Sequence, residues 1–281
     1  METKYKGVTL RSMGIPTSWR QLVDGDLPGA RNMARDVAIL EAVAEGGSPP
    51  TLRLYGWSPP CLTLGRHQHR DAVDLDFCRD HGIDVVRRPT GGRALLHHLE
   101  LTYSLAAPLG RGPIPRKLQD AYRTICDALV RACGAFGIDA QLTPGEINIA
   151  LPGPSSAIPC FEVPAGGEVV VAMRKLIGSA MRSHGGAILQ HGAILLDWDS
   201  ELQAGALGLA DDSALRPHIT TFAEQLGRPP DRQELERAVV AAFSEHLGVR
   251  FAESVLAEPE AAREQALIDS FQIGAENSRG I

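Results

Sequence analysis

Covalent chemistry in this sequence would centre on Cys160 and Lys175, fifteen residues apart. Cys160 stands in Pro-Cys-Phe, within a stretch rich in proline, serine and glycine. Lys175 follows the strand-like run EVVVAM and precedes Gly178-Ser179. A thiolate attacks carbonyl carbon, and a neighbouring cation stabilises the thiolate. Between Met173 and Leu176-Ile177, an ammonium would lose part of its hydration, which favours the neutral amine. Each residue also has a plain reading, because a lone cysteine is often a small buried hydrophobe and a lysine is usually a solvated charge. On the residues alone both readings stay open.

The second group is RRPTGGR, residues 87–93. Two glycines after a strand-like run let the backbone come close to a ligand, since no Cβ intervenes. Arg87, Arg88 and Arg93 could hold a phosphate or pantetheine-type anion. A tight hairpin carrying solvated arginines is the alternative. His67 and His69 form an HxH, and His97 and His98 are adjacent, yet no thiol or carboxylate is spaced to complete a metal site, so none is expected. A GxxxxGK[ST] phosphate loop, an HExxH pair and a GxSxG elbow are all missing from the sequence.

The elements that must position these groups follow from periodicity. A helix is predicted from about Asn32, with Met33, Val37, Leu40 and Ala44 on one face, ending near Gly46-Gly47. TLRLYGW and CLTLG read as strands, then a short helix with Leu75 and Cys78, the strand IDVVRR, the glycine turn and the run LTYSLAAPL. The spacing predicts a long helix over 115–136, with Leu118, Ala121, Tyr122, Ile125, Leu129, Ala132, Cys133 and Phe136 along its buried stripe. Residues 146–168 read as extended and turn-rich, and VVVAM, AILQ and AILL as strands. Beyond Asp199 the pattern turns helical, with Asp231 and Glu234 as a capping box. Strands joined by turns imply an α/β (α+β) chain with a mixed sheet flanked by helices, not a βαβ repeat. Residues 1–200 are expected to form the catalytic domain, and 201–281 a mainly helical C-terminal extension packed on it.

Composition bounds the function. The chain has 281 residues, 44% of them hydrophobic and 22% charged, which suits an ordinary folded core. A formal charge of −6 disfavours broad nucleic-acid binding. No apolar run approaches the ~20 residues of a membrane span, and the start lacks the apolar stretch of a secretory signal. Cysteines 61, 78, 126, 133 and 160 form no CxxC pair, so free thiols in a reducing cytoplasm are expected.

RRPTGGRALLHHLELTYS (87–104), PCF (159–161) and RKLIGSAMR (174–182) together resemble the lipoate–protein ligase and octanoyltransferase family, related in fold to biotin protein ligases. The resemblance runs from Asn32 to about Asp197. It implies a biotin/lipoate ligase-like fold in which Arg88, Gly91, Gly92, Arg93, His97, Gly178 and Ser179 line an acyl pocket. PCF followed by RKLIGSA resembles the cysteine-dependent branch that transfers octanoyl groups to the glycine cleavage H protein. By that resemblance Cys160 carries the acyl group as a thioester and Lys175 assists. His98 and Met181 stand where relatives carry aspartate and glutamine, and VPAGGEVVV lacks their serine–tyrosine pair. The implied donor is octanoyl–acyl carrier protein, the acceptor a lipoyl domain, and the enzyme a cofactor-free monomer. Arg111, Arg116, Lys117 and Arg123 could dock the acidic carrier or simply form a solvated helix start. An ATP-dependent lipoate–protein ligase using Mg²⁺, and a non-catalytic acyl- or lipoyl-domain-binding protein, are the competing readings.

Overall fold

Continuous apolar runs pair into two sheets in the computed structural model, which describes residues 18–145 and 166–273. In chain order the elements are β1 (Ser18–Leu27), α1 (Gly29–Ala44), β2 (Thr51–Trp57), β3 (Cys61–Leu64), α2 (Leu75–Asp80), β4 (Asp84–Arg87), β5 (Leu95–His97) and β6 (Glu100–Pro108). They continue with α3 (Leu118–Gly134), β7 (Gln141–Leu142), β8 (Val169–Val171), β9 (Arg174–His184), β10 (Ala187–Leu195) and α4 (Ser200–Ala206). The last are α5 (Phe222–Leu226), α6 (Arg232–Leu247), β11 (Arg250–Glu253) and α7 (Glu258–Phe271). The main sheet has the order β11-β1-β2-β6-β10-β9-β8-β7, parallel at its β11-β1-β2 end and antiparallel elsewhere. The small sheet β4-β3-β5 is also mixed.

Each face of the main sheet needs an apolar cover. On one face α3 brings Ile125, Leu129 and Cys133, and α6 brings Leu235, Val239 and Phe243, against Leu54, Leu105 and Ile188 of the strands. On the other, Ile39, Leu40 and Val43 of α1 meet Leu22, Ala106 and Leu189. Farther along β10, the small sheet lays Leu62, Leu64 and Leu96 on Ala193 and Leu195. Among the described residues no helix is long and apolar enough to cross a membrane.

This is the mixed α/β architecture the pattern implied, with local differences. Helix α1 begins at Gly29, three residues before Asn32, because Pro28 caps it in an extended conformation and Gly29 fits against Cys61, where a Cβ would collide with the sulfur. Helix α3 is shorter than 115–136, since Lys117 is still extended at its N-cap. VVVAM stops being strand at Val171, while RKLIGSAMRSH, whose mixed polarity shows no clean alternation, is the eleven-residue β9. AILQ and AILL are one strand, β10, running through Gly192. The polar strand β1 and the short β11 carry no clean alternation and were not anticipated. Helix α7 is held by charges to β1, where Arg20 gives Glu260 two bonds of 2.5 and 2.6 Å, and to α1, where Arg31 and Arg35 grip Glu264.

The β8–β9 hairpin turns on Ala172 and Met173, both with positive φ (48° and 62°), and Met173 is 55% exposed. A two-residue turn with both φ values positive favours Asn-Gly, and each L-residue with a side chain there costs roughly 1 kcal/mol. Replacing the pair by A172N together with M173G should therefore raise thermal or urea stability by about 1–2 kcal/mol. An unchanged midpoint would refute the strain.

Candidate functional site

Helix α1 carries two polar residues on its inward face, Asn32 and Asp36, and both are fully buried. The partners of Asp36 come from three strands. Asp36 accepts from Arg53 Nη1 (2.8 Å) and Tyr55 OH (2.9 Å) on β2, Ser104 Oγ (2.8 Å) on β6 and His191 Nδ1 (3.1 Å) on β10. Arg53 also donates to Asp24 (2.6 Å) and Asn32 Oδ1 (2.7 Å), with its guanidinium 3.8 Å from the Tyr55 ring centroid. Burial alone would push the Asp36 carboxyl up, but Arg53 and the His191 and Ser104 bonds outweigh it and hold it below the ordinary carboxylate range. Burial pushes His191 down, towards the neutral ring. A neutral ring donating Nδ1–H to Asp36 presents Nε2 as an acceptor, and Thr90 Oγ1 lies 2.7 Å from it.

Thr90 belongs to the glycine loop, whose shape is set by its arginines. Arg88 Nη2 donates to the carbonyls of Gly91 and Arg93 (both 2.7 Å), and its Nη1 to Thr63 O and Oγ1 (both 3.1 Å). Arg87 Nη1 reaches the carbonyls of Gly65 (2.9 Å) and Gln68 (2.7 Å). These two guanidiniums thus brace backbone on either side of the loop. Gly92 (φ 96°) packs against Gly65 so closely that a Cβ on Gly65 would strike the Gly92 carbonyl.

The loop closes one side of a cavity between the main and small sheets. A row of cross-strand neighbours, Tyr55, Thr102, Ala193 and Gly178, lines it from β2 across to β9. Met33, Trp57, Leu95 and Leu195 supply the greasy wall. Trp57 stacks on His97 with centroids 4.1 Å apart. Both His97 nitrogens have partners, Glu100 Oε1 at 2.7 Å and Thr63 Oγ1 at 3.0 Å, so its ring serves as wall.

Lys175 enters the cavity because β9 bulges. Val169 pairs with Ile177, yet Val170 pairs with Lys175, leaving Leu176 as the extra residue. Leu176 and Ile177 both bury in the main core, and Lys175 turns to the cavity beside Gly178. Re-aiming a side chain is what a bulge does. Lys175 is 2% exposed, and its Nζ sits 2.6 Å from Glu168 Oε1. Glu168 is held at the head of β8 by Thr143, whose N–H donates to the Glu168 carbonyl and whose Oγ1 accepts from the Glu168 N–H, both at 2.9 Å.

Of the residues singled out by sequence, Arg88, Gly92, His97, Lys175, Gly178 and Ser179 converge on this one cavity, with Gly91 and Arg93 immediately behind it as carbonyl partners of Arg88. Ser179 Oγ is bonded to Tyr103 OH at 2.7 Å. Cys160 lies outside the described residues. Glu168, Asp36, His191 and Trp57 were missed. An Asp on the apolar face of a helix was the one sequence signal that would have found Asp36 and, through it, His191.

Residues 28–244 match the family described as lipoyl protein ligase A/B catalytic domain. The chain belongs to that family. It is 38% identical over 272 residues to octanoyltransferase LipM of Symbiobacterium thermophilum, covering 94% of this chain and 98% of that protein. Octanoyltransferase LipM of Clostridioides difficile is 36% identical over 264 residues, 90% of this chain and 96% of the relative. A lipoate-protein ligase A bound with ATP superposes with a TM-score of 0.75 at 26% identity, over 90% of this chain and 94% of that one. A putative lipoate protein ligase from T. acidophilum with bound lipoic acid shares the fold, with a TM-score of 0.73 at 24% identity over 90% and 95%. The family match spans α1 through most of α6, and so contains every residue lining the cavity.

Asp36→Asn would leave the buried Arg53 with Asp24 as its one remaining carboxylate partner and should cost about 3 kcal/mol in urea unfolding. Asp36, Asp24 and Glu260 all titrate below the ordinary range when folded. Their contribution is therefore complete above the unfolded carboxylate value of about 4 and is lost as pH falls through the lower folded values. Urea midpoints should drop between pH 5 and pH 2 in the wild type, and drop less in the variant. Equal pH slopes would refute the assignment.

Proposed function

We propose that this chain is an octanoyltransferase of lipoate assembly. It takes an octanoyl group from acyl carrier protein and delivers it to a lysine of a lipoyl domain, the glycine cleavage H protein foremost, through a thioester on Cys160. The observation that carries the reading is an apolar cavity whose reactive end holds a buried, carboxylate-paired Lys175, in a chain alike over nearly its whole length to octanoyltransferases. Burying six methylenes of the acyl chain at ~0.8 kcal/mol each contributes about 5 kcal/mol.

The other cysteines argue for Cys160 by their chemistry. Cys61, Cys78, Cys126 and Cys133 are buried, and burial pushes their thiols up, to about 11 for Cys78 and about 12 for Cys126 and Cys133. None of these four is poised as a thiolate. Gly145 and Gly166, the described residues on either side of 146–165, lie close together, two residues before Glu168.

The Cys160 thiolate attacks the donor carbonyl, and the carrier sulfur leaves and takes a proton. The acceptor's free amine then attacks the enzyme thioester, expels the Cys160 thiolate, loses a proton and forms the amide. Thioester exchange is nearly isoenergetic and amide formation is downhill, so no nucleotide is consumed. Lys175, donating to Glu168, acts as an ammonium beside the thiolate and the developing oxyanion. The same pairing disfavours the ligase reading, since a carboxylate 2.6 Å from the ammonium repels an adenylate phosphate. The cavity's lining ends at Leu195, consistent with a catalytic part up to residue 200 and an extension that supports it. A monomer in the cytoplasm suits this reading.

Intact mass after mixing with octanoyl–acyl carrier protein and no nucleotide tests the reading. One hydroxylamine-sensitive octanoyl group on Cys160 is expected, and Cys160→Ser should abolish both it and transfer. A need for ATP with full activity in Cys160→Ala would establish the ligase instead, and no acceptor modification under either condition a binding module. Lys175→Ala should slow acyl-enzyme formation on the order of 10²-fold or more; an unchanged rate removes it from the mechanism.

A further inference from the structure

Arg87 and Arg88 brace backbone carbonyls, but a second arginine pair beside the same loop does not. Arg66 follows Gly65, donates its backbone N–H to Thr90 O at 2.9 Å and is exposed. Arg182 lies on β9 beyond Gly178 and Ala180, on the face those two residues turn to the cavity, and is half-buried. Among the described residues neither forms an ion pair. Burial, and then the charge of Arg66, lower the Arg182 pKa. The one carboxylate whose charge favours Arg182 is Glu41 on α1, which is within 3.6 Å of Arg263.

Strand register places this pair relative to the acyl path. The row Gly178, Ala193, Thr102 and Tyr55 crosses the sheet, so a chain anchored at Lys175 runs perpendicular to the strands towards Trp57 and His97. Arg182 lies instead along β9, four residues from Gly178 and level with Leu189 and Ala106. At ~3.3 Å per residue that is roughly 13 Å. A donor whose sulfur sits near Lys175 would lay its acyl chain across the sheet, and an arm running along β9 would reach the level of Arg182.

We propose that Arg66 and Arg182 form a phosphate-recognising pair at the cavity mouth, which receives the phosphodiester of a pantetheine-type arm carrying the acyl thioester. This rests on the transferase reading and adds a second anchor point to it. Guanidinium forks match phosphate oxygens, and the charge of Arg66 already acts on Arg182. The pair suits donor over acceptor, because an acceptor lysine approaches as an ammonium and is repelled until it loses its proton.

Three donors separate the possibilities: octanoyl-pantetheine, octanoyl-phosphopantetheine and octanoyl–acyl carrier protein. In Arg66→Gln/Arg182→Gln the KM ratio of octanoyl-phosphopantetheine to octanoyl-pantetheine should rise at least about tenfold over wild type. The carrier-bound donor should follow the phosphorylated one. An unchanged ratio overturns the proposal, as does a rise confined to the carrier-bound donor, which would mark contact with the carrier's surface. Calorimetric binding of non-acylated phosphopantetheine to the intact protein, weakened to the same degree in the variant, needs no turnover. If wild type binds it but transfers no octanoyl group, the transferase reading fails and the phosphate pair stands.

Discussion

A carboxylate with no exposure, Asp36, sits at the middle of this fold, and protein must replace all of its hydration. Moving an ion out of water costs several kcal/mol even after relaxation, and the cost is recovered only when geometry and hydrogen bonding are complete. Here four donors on β2, β6 and β10 supply them. Sliding or rotating α1 against the sheet by one residue would strand a charge. An apolar seam of equal volume could be as stable or more so, but it would tolerate slippage; we read the charged seam as fixing register. The same carboxylate orients His191, and His191 holds Thr90, so the constraint reaches the glycine loop through two hydrogen bonds.

That loop and the bulge in β9 give the cavity its electrical character. Its basic side chains are matched locally: Lys175 with Glu168, His97 with Glu100, His191 with Asp36. Arg88 faces the carbonyls of Gly91 and Arg93, which carry partial negative charge. A wall composed this way offers dipoles and a donor ammonium without a strong net field, which favours an uncharged acyl chain and its thioester. The unmatched positive charge lies outside, at Arg66 and Arg182. Position, more than composition, decides what an arginine does here.

Sequence patterns revealed the apolar layers because burial dictates them directly. TLRLYGW, CLTLG and LTYSLAAPL are strands with continuous buried runs, and the α3 stripe from Leu118 to Cys133 faces inward as its spacing required. β9 was hidden because its bulge breaks alternation at Leu176-Ile177, the same irregularity that aims Lys175. β1 was hidden because Arg20 and Asp24 point to charged partners on α7 and α1 that no local pattern encodes. At the site, the loop residues and Lys175 were legible through glycine spacing and the resemblance. Glu168 and His191 were not, since each matters through a partner distant in sequence or across a sheet. The Arg87 and Arg88 side chains looked like anion ligands because a sequence does not show which carbonyls a folded loop will leave in need of donors.

The side of the sheet away from the cavity explains how a greasy site keeps its shape. Gly192 on β10 lies level with Tyr103 on β6 and Ser179 on β9. A Cβ there would crowd both side chains, so its absence lets Tyr103 OH meet Ser179 Oγ across the middle strand. Gln190 donates to Tyr103 OH and to Cys126 Sγ, and Tyr122 OH to the Ser179 carbonyl. A glycine inside a strand sacrifices roughly 0.5–1 kcal/mol of backbone entropy. What it gains is a polar lattice pinning Gly178 and Ser179 from behind. One missing methyl group thus lets the hydrogen bonding on that face close directly behind the cavity wall.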